Sequence, residues 1–366
     1  MPGDVLRWGV LGSAKIAEIA FAPALRSVPG CVLTAVASRN EDRARAFAGV
    51  VGAARAYAPY EALLEDASVD CVYIALPNSM HSEWAVRALR AGKHVLCEKP
   101  MATTAAEAAA MADAADESGR LLMEGFMYRF HPRTGRVRQL IAAGAIGQVR
   151  TIRATYSFQL AAATDVRSST VDADIRSQRH LGGGALYDVG SYCVNAIRFY
   201  SGKEPRRVVG WSSRDGHADV ELRAGGILDF GDGTSGDFFC SMDTFGGGQV
   251  EVYGSEGKLS IPIAFRVRPT DPAPSVTIAT REGSVVETFD HDDQYRLEIE
   301  AFVSALSGER PPLAVADSVA NAAVLDALRE SMARTERNGS GSGGAWVDVA
   351  NHAGATERRS HGGAVR

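Results

Sequence analysis

Over roughly the first 125 residues, short apolar runs alternate with amphipathic stretches, and this grammar constrains the fold more than any single motif does. The runs Leu6–Leu11, Val32–Ser38, Cys71–Leu76, His94–Cys97 and Leu121–Glu124 are brief and bounded by Gly, Pro, Asn or Ser. Apolar residues at consecutive positions fit strands buried on both faces, and hence a parallel sheet. Helices are predicted between them, near Ile16–Ala24, Asp42–Val50, Ser79–Ala91 and Thr104–Ser118. Ser79 and Thr104 read as N-caps, the latter with Glu107 three residues on as a capping box. Gly92 and Gly119 stand where their helices should stop. Repeated β-α-β in this order predicts a doubly wound α/β domain over residues 1–125.

After Phe126 the pattern changes. A helix is expected at Arg133–Ala143, then a long alternating strand at Val149–Phe158 and a helix at Ala185–Tyr200. Several strands follow between Val208 and Phe289, separated by turns such as Gly231-Asp232-Gly233, which predicts a mainly antiparallel sheet. Two helices close the region. In the first, Ile299, Phe302, Val303 and Leu306 keep helical spacing; the second runs from about Ala316 to Arg334. Residues 126–350 therefore read as an α+β domain and 351–366, rich in Gly, Arg and His, as a disordered tail.

A chain of 366 residues suits two cores, and 46% hydrophobic with 23% charged residues is ordinary globular composition. The formal net charge of -5, with no basic run, gives no reason to expect nucleic acid. No apolar stretch is long enough for a bilayer, so no membrane partner is expected, and Met1-Pro2-Gly3-Asp4 does not open a signal peptide. Five scattered cysteines without a Cys-x-x-Cys pair predict free thiols in a reducing cytoplasm. The eight histidines lack ligand spacing, so no metal is expected.

Strand, glycine turn and helix at Gly9-Val10-Leu11-Gly12-Ser13-Ala14, continuing into Lys15 and Ile16, would aim backbone N–H groups at a pyrophosphate. Ala14 and Ala17 stand where later glycines are usual, which leaves an ordinary strand-to-helix turn as the alternative. The second strand ends in Ser38-Arg39, with Arg43 one helical turn later, rather than in the carboxylate that would hold a ribose 2′-hydroxyl. A hydroxyl and guanidinium groups suit a 2′-phosphate, so NADP(H) is the expected cofactor; the alternative is a solvated loop arginine.

The run His94–Cys97 leads into Glu98-Lys99-Pro100-Met101. Together with the glycine loop, Leu76-Pro77-Asn78 with His81, Glu124 to Pro132, and Gly182-Gly183-Gly184 leading to Asp188, Tyr192 and Asn195, this segment resembles the Gfo/Idh/MocA family of dinucleotide-dependent sugar and polyol oxidoreductases. The likeness extends to about Val349. It implies a Rossmann domain followed by an open, largely antiparallel sheet, a sugar or polyol substrate, and a homodimer or homotetramer. It also implies cofactor contacts at Leu76, Pro77, Asn78, His81, Glu98 and Lys99. Tyrosine at position 192, with Asn195 and Arg198, is similar to the branch holding glucose–fructose oxidoreductase, NADP-dependent xylose dehydrogenase and dihydrodiol dehydrogenase.

Helical spacing stacks Asp188, Tyr192 and Asn195 on one face. A free tyrosine is a poor base at neutral pH, and a nearby ammonium would favour its phenolate. The resemblance assigns Tyr192 as proton acceptor or donor, Lys99 as its electrostatic partner on the substrate oxygen, and Asp188 as the group that orients substrate hydroxyls. Arg129 is a further expected substrate contact. The bland alternatives are a core tyrosine at 192, a helix-start cap at 188, and structural polar roles for His81 and Arg129. The expected reaction is hydride transfer between NADP(H) and an aldose-like sugar. Alternatives are a keto-sugar reductase acting on a nucleotide-linked or glycosidic sugar, a trans-dihydrodiol dehydrogenase, and a non-catalytic NADP(H)-binding regulator.

Overall fold

The computed structural model describes residues 5–160, 174–214, 218–311, 313–338 and 345–353. The chain divides into two compact units. The first holds Met1–Ala102, Ala110–His131 and Asp292–Ser318; the second holds Thr103–Ala109, Pro132–His291 and Val319–Arg366.

The first unit is built on strands β1 (Leu6–Leu11), β2 (Cys31–Ala37), β3 (Arg55–Tyr57), β4 (Cys71–Ile74), β5 (His94–Glu98) and β6 (Leu122–Gly125). They form one parallel sheet in the order β3-β2-β1-β4-β5-β6. The helices are α1 (Ala22–Ser27), α2 (Glu41–Val51), α3 (Tyr60–Glu65), α4 (His81–Arg90) and α5 (Ala105–Ser118), of which residues 105–109 belong to the second unit. Every residue of β4 is buried, as its unbroken apolar run predicts. The sequence reading passed over β3 and α3, a three-residue strand and a six-residue helix too short for periodicity to register.

Helix ends follow the sequence in part. Thr104 Oγ1 accepts from Glu107 N at 3.1 Å, whereas the Glu107 carboxylate reaches back to Thr103 rather than to Thr104. Ser79 does not cap α4: it lies in a 3₁₀ turn, Asn78–Met80, and Met80 stands at the helix start without a side-chain cap. Gly92 and Gly119 follow their helices with positive φ, as expected.

The second unit holds two further helices, α6 (Pro132–Ala142) and α7 (Ser191–Ser201). That unit carries β7 (Val149–Ser157), β8 (Arg207–Ser213), β9 (Arg223–Asp229), β10 (Ser235–Ser241), β11 (Gly248–Gly254), β12 (Gly257–Pro262), β13 (Ser275–Thr280) and β14 (Gly283–Thr288). Helices α8 (Gln294–Leu306) and α9 (Val315–Asn338) and the short β15 (Val347–Asp348) complete the chain. The nine strands order as β14-β13-β12-β11-β7-β10-β9-β8-β15, antiparallel except for the pair β7–β10.

Helix α8 belongs with the first unit, which a linear division at residue 126 does not provide for. The reason is packing: its Ile299 and Phe302 are fully buried in the first core, and Phe302 lies 5.0 Å from Trp8, ring centre to ring centre. At the other end, Asn351–Ala353 are ordered rather than tail-like. Ala353 N donates to Val349 O, and His352 pairs with Glu330 at 2.8 Å. The rest of the expected tail lies outside the described residues. All five cysteines are free and buried. Among the described residues no helix is long and apolar enough to cross a membrane, and no group of three His, Cys, Asp or Glu is arranged to hold a metal.

Candidate cofactor and catalytic residues

Strand register brings the expected cofactor segments of the first unit to one edge of its sheet. Leu11 pairs with both Ala37 and Ile74, and Ile74 pairs with Cys97. The chain therefore leaves β1 at Gly12, β2 at Ser38, β4 just before Leu76 and β5 at Glu98–Lys99 along a common boundary. In open α/β sheets that boundary is where ligands bind.

Gly12 is fixed by geometry. Its φ is +102°, and a Cβ there would lie 2.5 Å from the Ala75 carbonyl oxygen. Only glycine allows the turn to pass this close to the neighbouring loop. Gly9, by contrast, sits inside β1 under Leu63 and Val69, so it serves packing. After Ser13 and Ala14, both half-buried, Lys15 is exposed and pairs with Glu18 at 2.6 Å, while Ile16 packs against the first core. Ala17, buried, opens a single π turn, Ala17–Phe21, before α1 begins.

Ser38 is buried and its N–H donates to Tyr57 O. Arg39 and Arg43 are exposed, and both charges act on the Tyr60 hydroxyl, with Arg39 also within its hydrogen-bond reach. Burial pushes the Tyr60 phenol up, and the two guanidinium groups pull against that rise. Tyr60 is held by the edge of Trp84 at 4.8 Å. Sequence reasoning missed Tyr60, which lies in the overlooked α3. The Asn40 side chain caps α2 by accepting from Arg43 N at 2.9 Å.

Leu76 is buried, and Pro77 starts the 3₁₀ turn that carries half-buried Asn78. His81 is fully buried, with Nδ1 2.9 Å from Pro100 O and Nε2 2.9 Å from Leu76 O. Glu98, half-buried, accepts from the Tyr73 hydroxyl, and Tyr73 stacks on Phe21 at 3.8 Å. Lys99 is half-buried at the end of β5. The Arg129 side chain is 7% exposed and pairs with Asp317 at 3.1 Å.

In the second unit, Asp188 lies within a π turn, Leu186–Gly190, that runs directly into α7. It sits inside the turn and not at its cap, which is Ala185. Tyr192, in α7, is 5% exposed, with the Tyr156 ring at 5.5 Å and the Phe265 ring at 5.4 Å. The Tyr156 phenol is pushed up to about 12 by burial and then by the Asp188 charge, against the pull of Arg266 and Arg268. The structure thus brings Asp188 and Tyr192 together around a residue the sequence reading did not name. Its signal was available: Ile152, Ala154 and Tyr156 follow the period of two along β7.

Arg176 also faces Asp188, pairs with Asp174 at 2.7 Å, and lies over the Phe158 ring. Arg133, fully buried, donates to the carbonyls of Pro262, Ile263 and Ala264, and so fixes the segment that delivers Phe265. Asn195 is buried deeper along α7, and Arg198 is held by Glu204 at 2.6 Å and by Asn321 at 3.2 Å, a bracing role. Residues 161–173 lie outside the described residues.

Comparison with known proteins covers both units. A family model described as an oxidoreductase family with an NAD-binding Rossmann fold, GFO_IDH_MocA, matches residues 6–126. The GFO/IDH/MocA C-terminal domain model matches residues 134–260. The chain is 39% identical over 327 residues to D-xylose 1-dehydrogenase (NADP(+)) 2 of Haloferax volcanii, covering 89% of this chain and 97% of the relative. It is 35% identical over 325 residues to the dTDP-3,4-didehydro-2,6-dideoxy-alpha-D-glucose 3-reductase of Actinomadura kijaniata, covering 88% of this chain and 95% of the relative. The crystal structure of a 3-ketoreductase from Actinomadura kijaniata in complex with NADP and TDP-benzene is similar with a TM-score of 0.81 at 35% identity, covering 89% of this chain and 98% of that one.

Proposed function

The chain belongs to the Gfo/Idh/MocA oxidoreductase family, and from that premise we propose that it transfers hydride between NADP(H) and a hydroxyl or carbonyl carbon of an aldose-like sugar. The residues at the sheet edge fit the dinucleotide. Gly12 leaves open a close approach that any Cβ would fill, and Arg39, Arg43 and the Tyr60 hydroxyl make a cationic, hydrogen-bonding corner suited to a 2′-phosphate. Ser13 to Ile16 would present N–H groups to the pyrophosphate, with Leu76 to Asn78 and Glu98–Lys99 toward the nicotinamide. The relative named for NADP(+) supports this choice of cofactor. Held by these residues, the cofactor would supply the hydride acceptor for oxidation of a carbinol and the hydride donor for reduction of a carbonyl.

The protein's own groups manage the oxygen. As the C–H bond breaks toward the cofactor, the hydroxyl proton leaves to Tyr192 and the C–O bond becomes a double bond; reduction runs the same steps backward. The Lys99 ammonium binds the reacting oxygen and favours the ionised form of its proton partner. Asp188 orients neighbouring hydroxyls as an acceptor. His81 and Arg129, both already engaged inside the first unit, support these contacts. The observation that carries the reading is the convergence of Asp188, Tyr156 and Tyr192, because one acidic and two phenolic groups in a largely buried setting suit a polyol more than an apolar ligand.

One observation favours a second reading. Arg176, Arg266 and Arg268 act on the same Asp188–Tyr156 group, and guanidinium groups suit a diphosphate, as on a nucleotide-linked keto-sugar. Lys99→Met decides whether the assigned chemistry holds under either reading. We expect kcat/KM to fall by about 10³-fold or more while NADPH affinity stays within about threefold. A variant that still turns over sugars at near wild-type rate would sink the assignment.

A further inference from the structure

His81 opens α4 and is fully buried, with each ring nitrogen 2.9 Å from a backbone carbonyl oxygen. Neither Leu76 O nor Pro100 O carries a proton. A neutral imidazole has one N–H, so one of these contacts would set two lone pairs against each other at hydrogen-bond distance. Both contacts are favourable only when the ring carries both protons. Burial and the positive end of α4 oppose that charge. Two charge-assisted hydrogen bonds act in its favour.

A second element strengthens the case. The peptide whose oxygen meets His81 is Pro100–Met101, and the N–H of that same peptide donates to Glu124 Oε1 at 2.7 Å. Glu124 is itself buried, in β6. One peptide group is therefore gripped at its oxygen by the imidazole and at its nitrogen by a carboxyl group. Its dipole points the right way for both, so a positive His81 and the accepting Glu124 oxygen each strengthen the other's bond through it.

We propose that His81 is a positioning residue, a doubly protonated imidazolium that ties the carbonyls of Leu76 and Pro100 together and so holds the Lys99 segment in register with the loop after β4. The chain Leu76–His81–Pro100–Met101–Glu124 spans the ends of three neighbouring strands, β4, β5 and β6. Without it, Lys99 hangs from a loop whose backbone has lost its tie to the cofactor edge. That consequence rests on the proposed role of Lys99; the protonation state does not.

The test is NMR of the holoenzyme labelled with ¹⁵N only in histidine, with His81→Asn used to assign the His81 signals. At pH 7.5 we expect both ring nitrogens of His81 to carry protons. One protonated and one bare nitrogen would overturn the imidazolium. In His81→Asn we expect kcat to drop about 10- to 100-fold, with NADPH affinity within about threefold and an intact thermal transition. A folded variant with wild-type kcat would overturn the positioning role, and His81→Gln serves the same purpose should the asparagine variant not fold. Retained turnover in Lys99→Met would sink the proposed function and leave the ring signature untouched, so the two failures are distinguishable.

Discussion

The two units present their working groups by different means. In the first, the groups expected at the dinucleotide are mostly backbone, set by strand ends in register and by one turn, at Gly12, that tolerates no side chain. In the second they are side chains on a helix lying on a sheet. Helix α7 and the π turn before it pack on β7 and β10, and at Gly236 a Cβ would meet Ile197 at 2.3 Å. On the opposite sheet face Trp211 and Ile227 are exposed, on β8 and β9. Backbone presentation suits a constant ligand, because its geometry survives side-chain changes. Side-chain presentation suits a variable one, because single substitutions alter it. The first unit should therefore govern cofactor affinity, while the chemical step, to which the first unit lends Lys99, should depend on the side chains of the second.

Removing one hydroxyl from the second unit tests that division most severely. Tyr192→Phe should lower kcat by about 10²- to 10⁴-fold, the usual worth of a positioned proton-transfer group, and leave NADPH affinity unchanged. Stopped-flow turnover beside fluorescence titration measures both. A fall in affinity as large as the fall in kcat would break the comparison, and unchanged kcat would remove Tyr192 from the mechanism. The converse lies in the first unit. Arg39→Ala should weaken NADPH binding about 10- to 100-fold, the loss of a charge-assisted hydrogen bond, with NADH affinity and kcat at saturating cofactor little changed. Equal weakening of NADH and NADPH would mean that Arg39 does not read the 2′-phosphate.

The same contrast explains what the sequence disclosed. Backbone-built features leave local marks: the run Leu6–Leu11, the turn at Gly12 and the buried β4 all follow from short-range sterics and burial. The Asp188–Tyr192 face is also local, being one helical turn. Tyr156 and Phe265 reach that face from β7 and from the segment after β12, and no short-range pattern specifies which strand lies beneath a helix. Tyr60 escaped notice for the same reason, since its nearness to Arg39 depends on α3 lying beside β2. Helix α8 was legible as a helix from Ile299, Phe302, Val303 and Leu306. Its partner was not, because an apolar stripe states how much must be buried and not against what.

That return of α8 carries the smallest of the expected effects and the one most particular to the first unit. Glu298, in α8, is fully buried, and neither carboxyl oxygen has a hydrogen-bond partner among the described residues. Burial, and then the charges of Glu98 and Asp293, push its carboxyl well above the usual carboxylate range. The folded state thus holds a proton that the unfolded chain releases near pH ~4.3, and the stability this confers is complete below that pH and declines as pH rises. His94 works the other way, since burial lowers its imidazole and folding gains as pH rises through its range. The difference between wild type and a Glu298 variant isolates the carboxyl. Glu298→Met, unbranched and of similar reach, removes the unsatisfied polar group and should raise the unfolding midpoint, by about 2–4 °C for each kcal/mol recovered. The gain should be larger at pH 8 than at pH 5, read by calorimetry at both. A gain independent of pH would mean that Glu298 does not change its charge state on folding. A loss of stability at both pH values would mean that the carboxyl is satisfied, and that α8 is held to the first unit by more than its apolar stripe.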